Sequence, residues 1–393
     1  MIKIALVRGH HLSKEETLSY EPLRNEFEFV CFSSDNPWFD HSEIVFPIVE
    51  VASVEKLFHF LPVNLSRRSF GVLDHFLGAG QWMYGLDRKL KGFNIVHTSD
   101  YCHFFSYQAA LAKKRLGYKL VAIHYDNIPF ARDDKPVARH IKYELYDKAD
   151  ALFAMSERAR ESLLLEGVDR RKISVIGNAI DTKKFTPRED NNPEWRQQYS
   201  IALHDTVILF VGRLHESKGV FELVYAAKKL VSDPDIDSTR LHFIMAGEGP
   251  RHNDVNSLIN RLNLQNHVTL IGRVAHSEIH QLHSMADVFA LPSIAMRYWQ
   301  EQFGIVLIES MASGKAIVST CSGSIPEVVG DSAILVQPND HYSLYLELKK
   351  LVLDKKLRHQ LGMKARARAV QCFSQEVIAD KLRNAYLTVV ERS

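Results

Sequence analysis

The stretch LFVGRLHESKG, Leu209 to Gly219, reads as three things in succession. An apolar run ends a strand that begins near Thr206. Gly212 then allows a tight turn and close approach of backbone. A helical pattern starts at Gly219. Strand, glycine turn and helix together make half of a βαβ unit, and Arg213 and Lys218 sit inside the turn. Two cations at the carboxyl end of a strand, beside a helix start, suit an anion such as a diphosphate. The plain alternative is that both are solvated loop residues.

The same pattern repeats on either side. In the second half, Leu241–Ala246, His267–Ile271, Val288–Leu291, Ala316–Ser319 and Ala333–Val336 read as buried strands between helical segments. In the first half, Ile2–Val7, Phe27–Phe32, Ile95–Thr98, Leu120–His124, Ala151–Met155 and Ile173–Ile176 do so. Continuous Val, Ile and Leu runs alternating with helices predict parallel sheets covered on both faces. The fold class is therefore α/β. The 393 residues divide into two domains, with a boundary in the polar stretch TPREDNNPEW, Thr186–Trp195. In such sheets ligands bind beyond the carboxyl ends of the strands.

Composition excludes several classes. A formal net charge of +2 gives no stripe for a polyanion, so nucleic acid is not expected as a partner. The four cysteines, Cys31, Cys102, Cys321 and Cys372, lack metal or disulfide spacing and suit a reducing cytoplasmic setting. No uncharged apolar run reaches the roughly 20 residues of a membrane helix. The opening MIKIALVRGH reads as a strand rather than a leader. The aromatic segment Val54–Lys91 is read two ways: as a greasy acceptor wall or peripheral membrane contact, or as two ordinary core helices.

The strand ends of the second half carry the chemistry. IMAGEGP, Ile244–Pro250, ends a strand in a glycine-rich turn with Gly247, Glu248 and Gly249. LIGRV, Leu270–Val274, ends another with Arg273 and Val274. EQFGIVLIESMASGKAIVST, Glu301–Thr320, sets Phe303, Gly304 and Ile305 at a helix start and Glu309 inside an apolar helix. A carboxylate there is costly unless something hydrogen-bonds it. Trp299, just upstream, offers an aromatic plane for a ligand or simple packing.

These residues resemble the family 4 glycosyltransferases. The resemblance is carried by Gly212-Arg213-Leu214 with Lys218-Gly219, by Gly247-Glu248-Gly249-Pro250, and by Glu301-Gln302-Phe303-Gly304 followed by Glu309. GSIPEVVGD from Gly323 and NAIDTKKFTP from Asn178 add to it. It implies a GT-B fold: two facing Rossmann-like domains with a cleft between them and a C-terminal helix crossing back to the first. The domains would be 1–187 for the acceptor, 188–374 for a nucleotide-sugar, and 375–393 for the helix. Glu309 would then bind ribose hydroxyls of a UDP- or GDP-sugar and be satisfied by that donor. Glu301 would lie at the donor sugar. Arg213 and Lys218 would hold the diphosphate, with Gly212, Gly247, Glu248, Gly249, Arg273, Val274 and the Phe303-Gly304-Ile305 backbone framing the nucleotide.

The resemblance also implies retention of anomeric configuration and transfer to a hydroxyl of a glycan, glycolipid or small molecule. It implies no metal or other cofactor, the cations and helix starts serving the leaving group. His124, ending VAIHYDNIPF, is a candidate catalytic group, and Asp126 a candidate for orienting a hydroxyl. The first loop departs from the family pattern, with Gly9 followed by His10 and His11. On regular backbone those two rings diverge, so no shared metal site is expected. An epimerase of the same fold and a non-catalytic nucleotide-sugar binder are the alternative readings.

Overall fold

The computed structural model describes residues 1–54 and 80–392. Most of the aromatic segment Val54–Lys91 lies outside the described residues. Two compact units emerge, Met1–Ala179 with Gln375–Ser393, and Ile180–Ser374. The division falls upstream of the polar stretch Thr186–Trp195. Ile180 and Phe185 explain this, because both are buried in the second unit's core.

In the first unit the strands are β1 (Ile2–Gly9), β2 (Phe27–Ser34), β3 (Ile48–Val51), β4 (Ile95–Thr98), β5 (Lys119–His124), β6 (Ala151–Ala154) and β7 (Ile173–Val175). They form one sheet in the order β3-β2-β1-β4-β5-β6-β7. Every pair is parallel; Ile4, for example, lies between Phe29 and Ile95. Alternation sends Ile4 and Leu6 to one face and Ala5 and Val7 to the other. Helices Phe104–Leu116 and Pro136–Lys148 cover the second face.

The first face is covered by the C-terminal helix Gln375–Glu391, whose Ile378, Leu382, Tyr386 and Val389 are buried against it. Ser374 separates that helix from the preceding one, its φ of −59° and ψ of 156° breaking the helical path. Arg383 then grips Glu26 through two bonds of 2.6 and 2.7 Å. Below the helix, Tyr386 Oη lies 2.5 Å from His97 Nδ1, and both are buried. A polar contact there fixes register that apolar packing alone leaves free.

The second unit holds β8 (Thr206–Val211), β9 (Leu241–Ala246), β10 (Val268–Gly272), β11 (Val288–Leu291), β12 (Ala316–Thr320) and β13 (Ile334–Val336). Their order is β10-β9-β8-β11-β12-β13, again all parallel, with Ile208 between Phe243 and Val288. The sequence reading misses one strand, β3. Its IVEV is short and is not flanked by helical pattern, and it gains its partner only by lying beside β2. Among the described residues no helix is long and apolar enough to cross a membrane.

Candidate active site

The second sheet's order reverses at β8, whose neighbours are β9 on one side and β11 on the other. Helical crossovers therefore leave in opposite directions and open a crevice at the carboxyl ends of β8 and β11. The loops after those strands meet there. Ile294 N donates to Ser217 O at 2.8 Å, joining one loop to the other. Lys218, from the first loop, donates to Glu301 Oε2 in the second at 2.7 Å. Ser293 Oγ donates to the same oxygen at 2.8 Å. The Lys218 ammonium also sits 4.7 Å from the centre of the Trp299 ring. Glu301 is buried, so its charge depends on these donors. Three residues singled out from sequence thus come together, and Ser293, which sequence reading passed over, completes the group.

Eight positions on, Glu309 lies in the helix Ile305–Ala312. Gly304 starts that helix at φ 82°, a conformation that suits glycine and few others. The carboxylate is 2 % exposed. His276 Nε2 lies 3.1 Å from one oxygen and His283 Nε2 3.5 Å from the other. Burial by itself raises the carboxyl pKa; the pull of the two imidazoles outweighs this and holds it at about 2. His283, fully enclosed, has its own pKa lowered by burial, against the pull of Glu309. His276 thus meets Oε1, while Oε2, buried and 3.5 Å from His283 Nε2, has no hydrogen-bond partner among the described residues. The histidines' spacing of seven was visible in HSEIHQLH, but it is equally the spacing of any helix face.

A hollow of about 440 Å³ opens at the carboxyl ends of β8, β9 and β10. Gly212, Arg213, Gly247, Glu248, Arg273 and Val274 line it, all six of them expected from sequence. Gly247 has φ 136°, and a Cβ there would stand 1.9 Å from the Gly212 carbonyl oxygen, so the two turns touch through bare backbone. A Cβ on Gly249 would likewise stand 2.3 Å from the Leu214 carbonyl oxygen. Arg213 and Arg273 are exposed, and among the described residues no ion pair engages either. Phe303 is a core residue, its ring edge-on to Phe373 at 5.7 Å, while Ile305 is exposed.

The first unit has its own switch point, between β1 and β4. His124, at the end of β5, is 1 % exposed, with Nδ1 3.2 Å from Tyr146 Oη, and burial keeps its pKa low. Asp126 accepts from Tyr101 Oη. His10 and His11 do not diverge: their ring centres are 4.2 Å apart, because Gly9 at φ 59° bends the chain out of the strand.

Against known proteins, residues 191–368 match the family profile described as Glycosyl transferases group 1. Residues 24–184 match the profile Glycosyltransferase Family 4. The D-inositol 3-phosphate glycosyltransferase of Corynebacterium aurimucosum is 31 % identical over 66 % of this chain and 62 % of its own length. The alignment thus spans less than two thirds of that relative. The N-acetyl-alpha-D-glucosaminyl L-malate synthase of Bacillus anthracis is 24 % identical over 72 % of this chain and 71 % of its own.

Among solved structures, Anabaena HepE in complex with UDP superposes with a TM-score of 0.77 at 19 % identity, covering 99 % of this chain and 100 % of that one. Sucrose-phosphate synthase from Thermosynechococcus elongatus does so with 0.73 at 19 %, covering all of both. Both likenesses are of the fold. With two family profiles spanning both units and two doubly wound sheets of this order, the chain belongs to the family 4 glycosyltransferases.

Proposed function

We propose that the protein transfers a sugar from a UDP- or GDP-sugar to a hydroxyl acceptor with retention of configuration. The donor lies on the second unit in this reading, and the acceptor on the first. The observation that carries it is the joining of Lys218 and Glu301 at the β8/β11 crevice, on strand ends that also line the hollow with Arg213 and Arg273. Glu309, on the helix that follows, supplies a fixed negative oxygen suited to a pair of vicinal hydroxyls. The UDP bound by HepE supports a nucleotide donor by analogy of fold.

In the reaction the bond from the sugar's anomeric carbon to the diphosphate oxygen breaks and the acceptor oxygen takes that carbon on the same face. The acceptor's proton passes to the departing phosphate. Arg213 and Lys218 offset the charge that grows on the leaving group, and this stabilisation matters most in the transition state. Glu301 orients the Lys218 ammonium and the sugar hydroxyls. His124 is enclosed beside Tyr146, and its part in this reading is to position groups. Arg213 and Lys218 provide the charge a metal ion would otherwise supply. Four unpaired cysteines support a reducing, cytoplasmic setting.

The test is an assay for free UDP or GDP released from a panel of nucleotide-sugars, with and without pooled glycoside acceptors. Acceptor-dependent release of one nucleotide, with a product of unchanged anomeric configuration, is the expected result. An altered donor sugar with no transfer would favour the epimerase reading, and an inverted product would overturn retention.

A further inference from the structure

The loop after β11 folds into a hairpin just ahead of Glu301. Met296 N donates to Trp299 O at 2.7 Å and Trp299 N to Met296 O at 3.3 Å, closing a two-residue turn from both sides. Arg297 and Tyr298 form its exposed tip, the guanidinium 5.0 Å from the centre of the Tyr298 ring. The base of the hairpin is fixed as well. Ile294 N donates to Ser217 O at 2.8 Å at its start, and Ser324 N to Glu301 O at 2.9 Å at its end. A Cβ on Gly323 would stand 2.0 Å from that Glu301 oxygen, so the two loops meet with no room between them. The backbone of Trp299 is thus held by contacts that do not depend on its ring.

The ring itself faces Lys218. The ammonium lies 4.7 Å from its centre, a distance at which the negative face of an indole attracts a cation. The same ammonium donates to Glu301 Oε2 at 2.7 Å. Residues two apart on an extended chain point the same way, and here Trp299 and Glu301 close on one lysine together. A lysine carries three N–H donors on a flexible four-carbon stem. Glu301 takes one donor, and the indole screens a second side from water. The side chain keeps 20 % of its surface exposed, so its free donors are confined to a narrow range of directions.

Arg213, the other cation of the same loop, is exposed. Water damps an exposed charge far more than a half-enclosed one, and a free side chain loses entropy when it is placed. Lys218 is therefore the cation whose charge is both placed and shielded. Both properties count most when charge grows on a leaving group, because a positioned charge needs no reorganisation at the moment of reaction. A tryptophan used in this way differs from one that stacks on a bound sugar, which would favour the ground state. It differs also from one that only packs, which would hold the fold.

We infer that Trp299 is a positioning residue, its ring and Glu301 together clamping the Lys218 ammonium for the diphosphate that leaves. The clamp stands on geometry; its effect on turnover rests on the transfer proposed above. The test has two arms, both on the full chain. The first is the proton–carbon NMR spectrum of the lysine side chains, with the Lys218 signals assigned by their loss in Lys218→Met. The indole shifts the Lys218 ε protons upfield, and Trp299→Leu returns them to the position of a solvated lysine. The second is steady-state release of nucleotide from UDP-glucose, UDP-galactose, UDP-N-acetylglucosamine and GDP-mannose with pooled glycoside acceptors.

Trp299→Leu should lower kcat about tenfold, with KM for the nucleotide-sugar and Kd for UDP or GDP within about twofold of wild type. Trp299→Phe keeps a smaller aromatic face and should lose no more than about threefold. In a Lys218→Met background Trp299→Leu should cost less than about twofold, since the clamp has nothing left to hold. A raised KM with kcat retained would make Trp299 a sugar platform. An equal loss in the Lys218→Met background, or a fall in the unfolding midpoint that matches the loss, would make it structural. Each of these overturns the inference, as does an unshifted Lys218 signal in the wild type. A wild type that turns over none of the donors yet shows the Trp299-dependent signal would instead sink the transfer reading and leave the clamp standing.

Discussion

At the residue scale the Lys218–Glu301 pair makes the sharpest distinction between structure and catalysis. Glu301 is 5 % exposed and shares one oxygen between Lys218 and Ser293. Removing the lysine alone takes the charged donor away from a buried carboxylate. Lys218→Met is expected to destabilise the protein by about 2 kcal/mol and to slow turnover by roughly 10²-fold. Adding Glu301→Gln removes the stranded charge. The double variant should regain most of the lost stability in a denaturant titration, while its turnover stays low. Recovery of turnover along with stability would make the pair structural only. Both residues were legible because they stand at fixed places relative to glycine turns. Ser293 was not, since a serine after a strand has many uses and only the meeting of two loops gives it this one.

At the scale of elements, strands were the most legible and their company the least. Runs such as Val207–Val211 and Ile244–Ala246 declare buried parallel strands by composition, whereas IVEV at β3 does not. Nor does sequence show that His276 and His283 turn onto Glu309, because the contact joins residues far apart in the chain. The C-terminal helix Gln375–Glu391 offers the element-level test. Tyr386→Phe removes the hydroxyl beside His97 Nδ1 and leaves that buried nitrogen without its partner. The expected cost is about 1–3 kcal/mol in thermal or urea unfolding, with nucleotide binding on the second unit unchanged. A stability equal to wild type would mean the helix is held by its apolar face and Arg383 alone.

At the scale of the whole molecule, buried imidazoles dominate the response to pH. His97, His124 and His283 are fully enclosed, and burial lowers the pKa of each, as it does for His10 and His11. Below about pH 6.5 the unfolded chain binds protons that the folded chain refuses. Stability therefore rises with pH in this range and is lost as pH falls. Each such histidine adds a slope of up to about 1.4 kcal/mol per pH unit. Asp100 and Glu16, which burial pushes up, act in the opposite sense, but they are fewer. Urea midpoints should be level above pH 7 and fall steeply between pH 6.5 and pH 5, well before ordinary acid denaturation. A flat profile across that interval would show the histidines to be open to solvent.

The central claim is that the second unit binds a nucleotide through its strand-end crevice, with Glu309 on the ribose. The measurement that tests it most directly is calorimetric titration of UDP, GDP and ADP into the wild-type protein and into Glu309→Gln. The amide keeps the shape of the side chain and removes its charge. The account predicts that UDP or GDP binds selectively and that Glu309→Gln weakens it by about tenfold, with the unfolding midpoint little changed. Unaltered nucleotide affinity together with a large fall in stability would contradict it, leaving Glu309 as a structural partner of His276 and His283 and the donor site elsewhere.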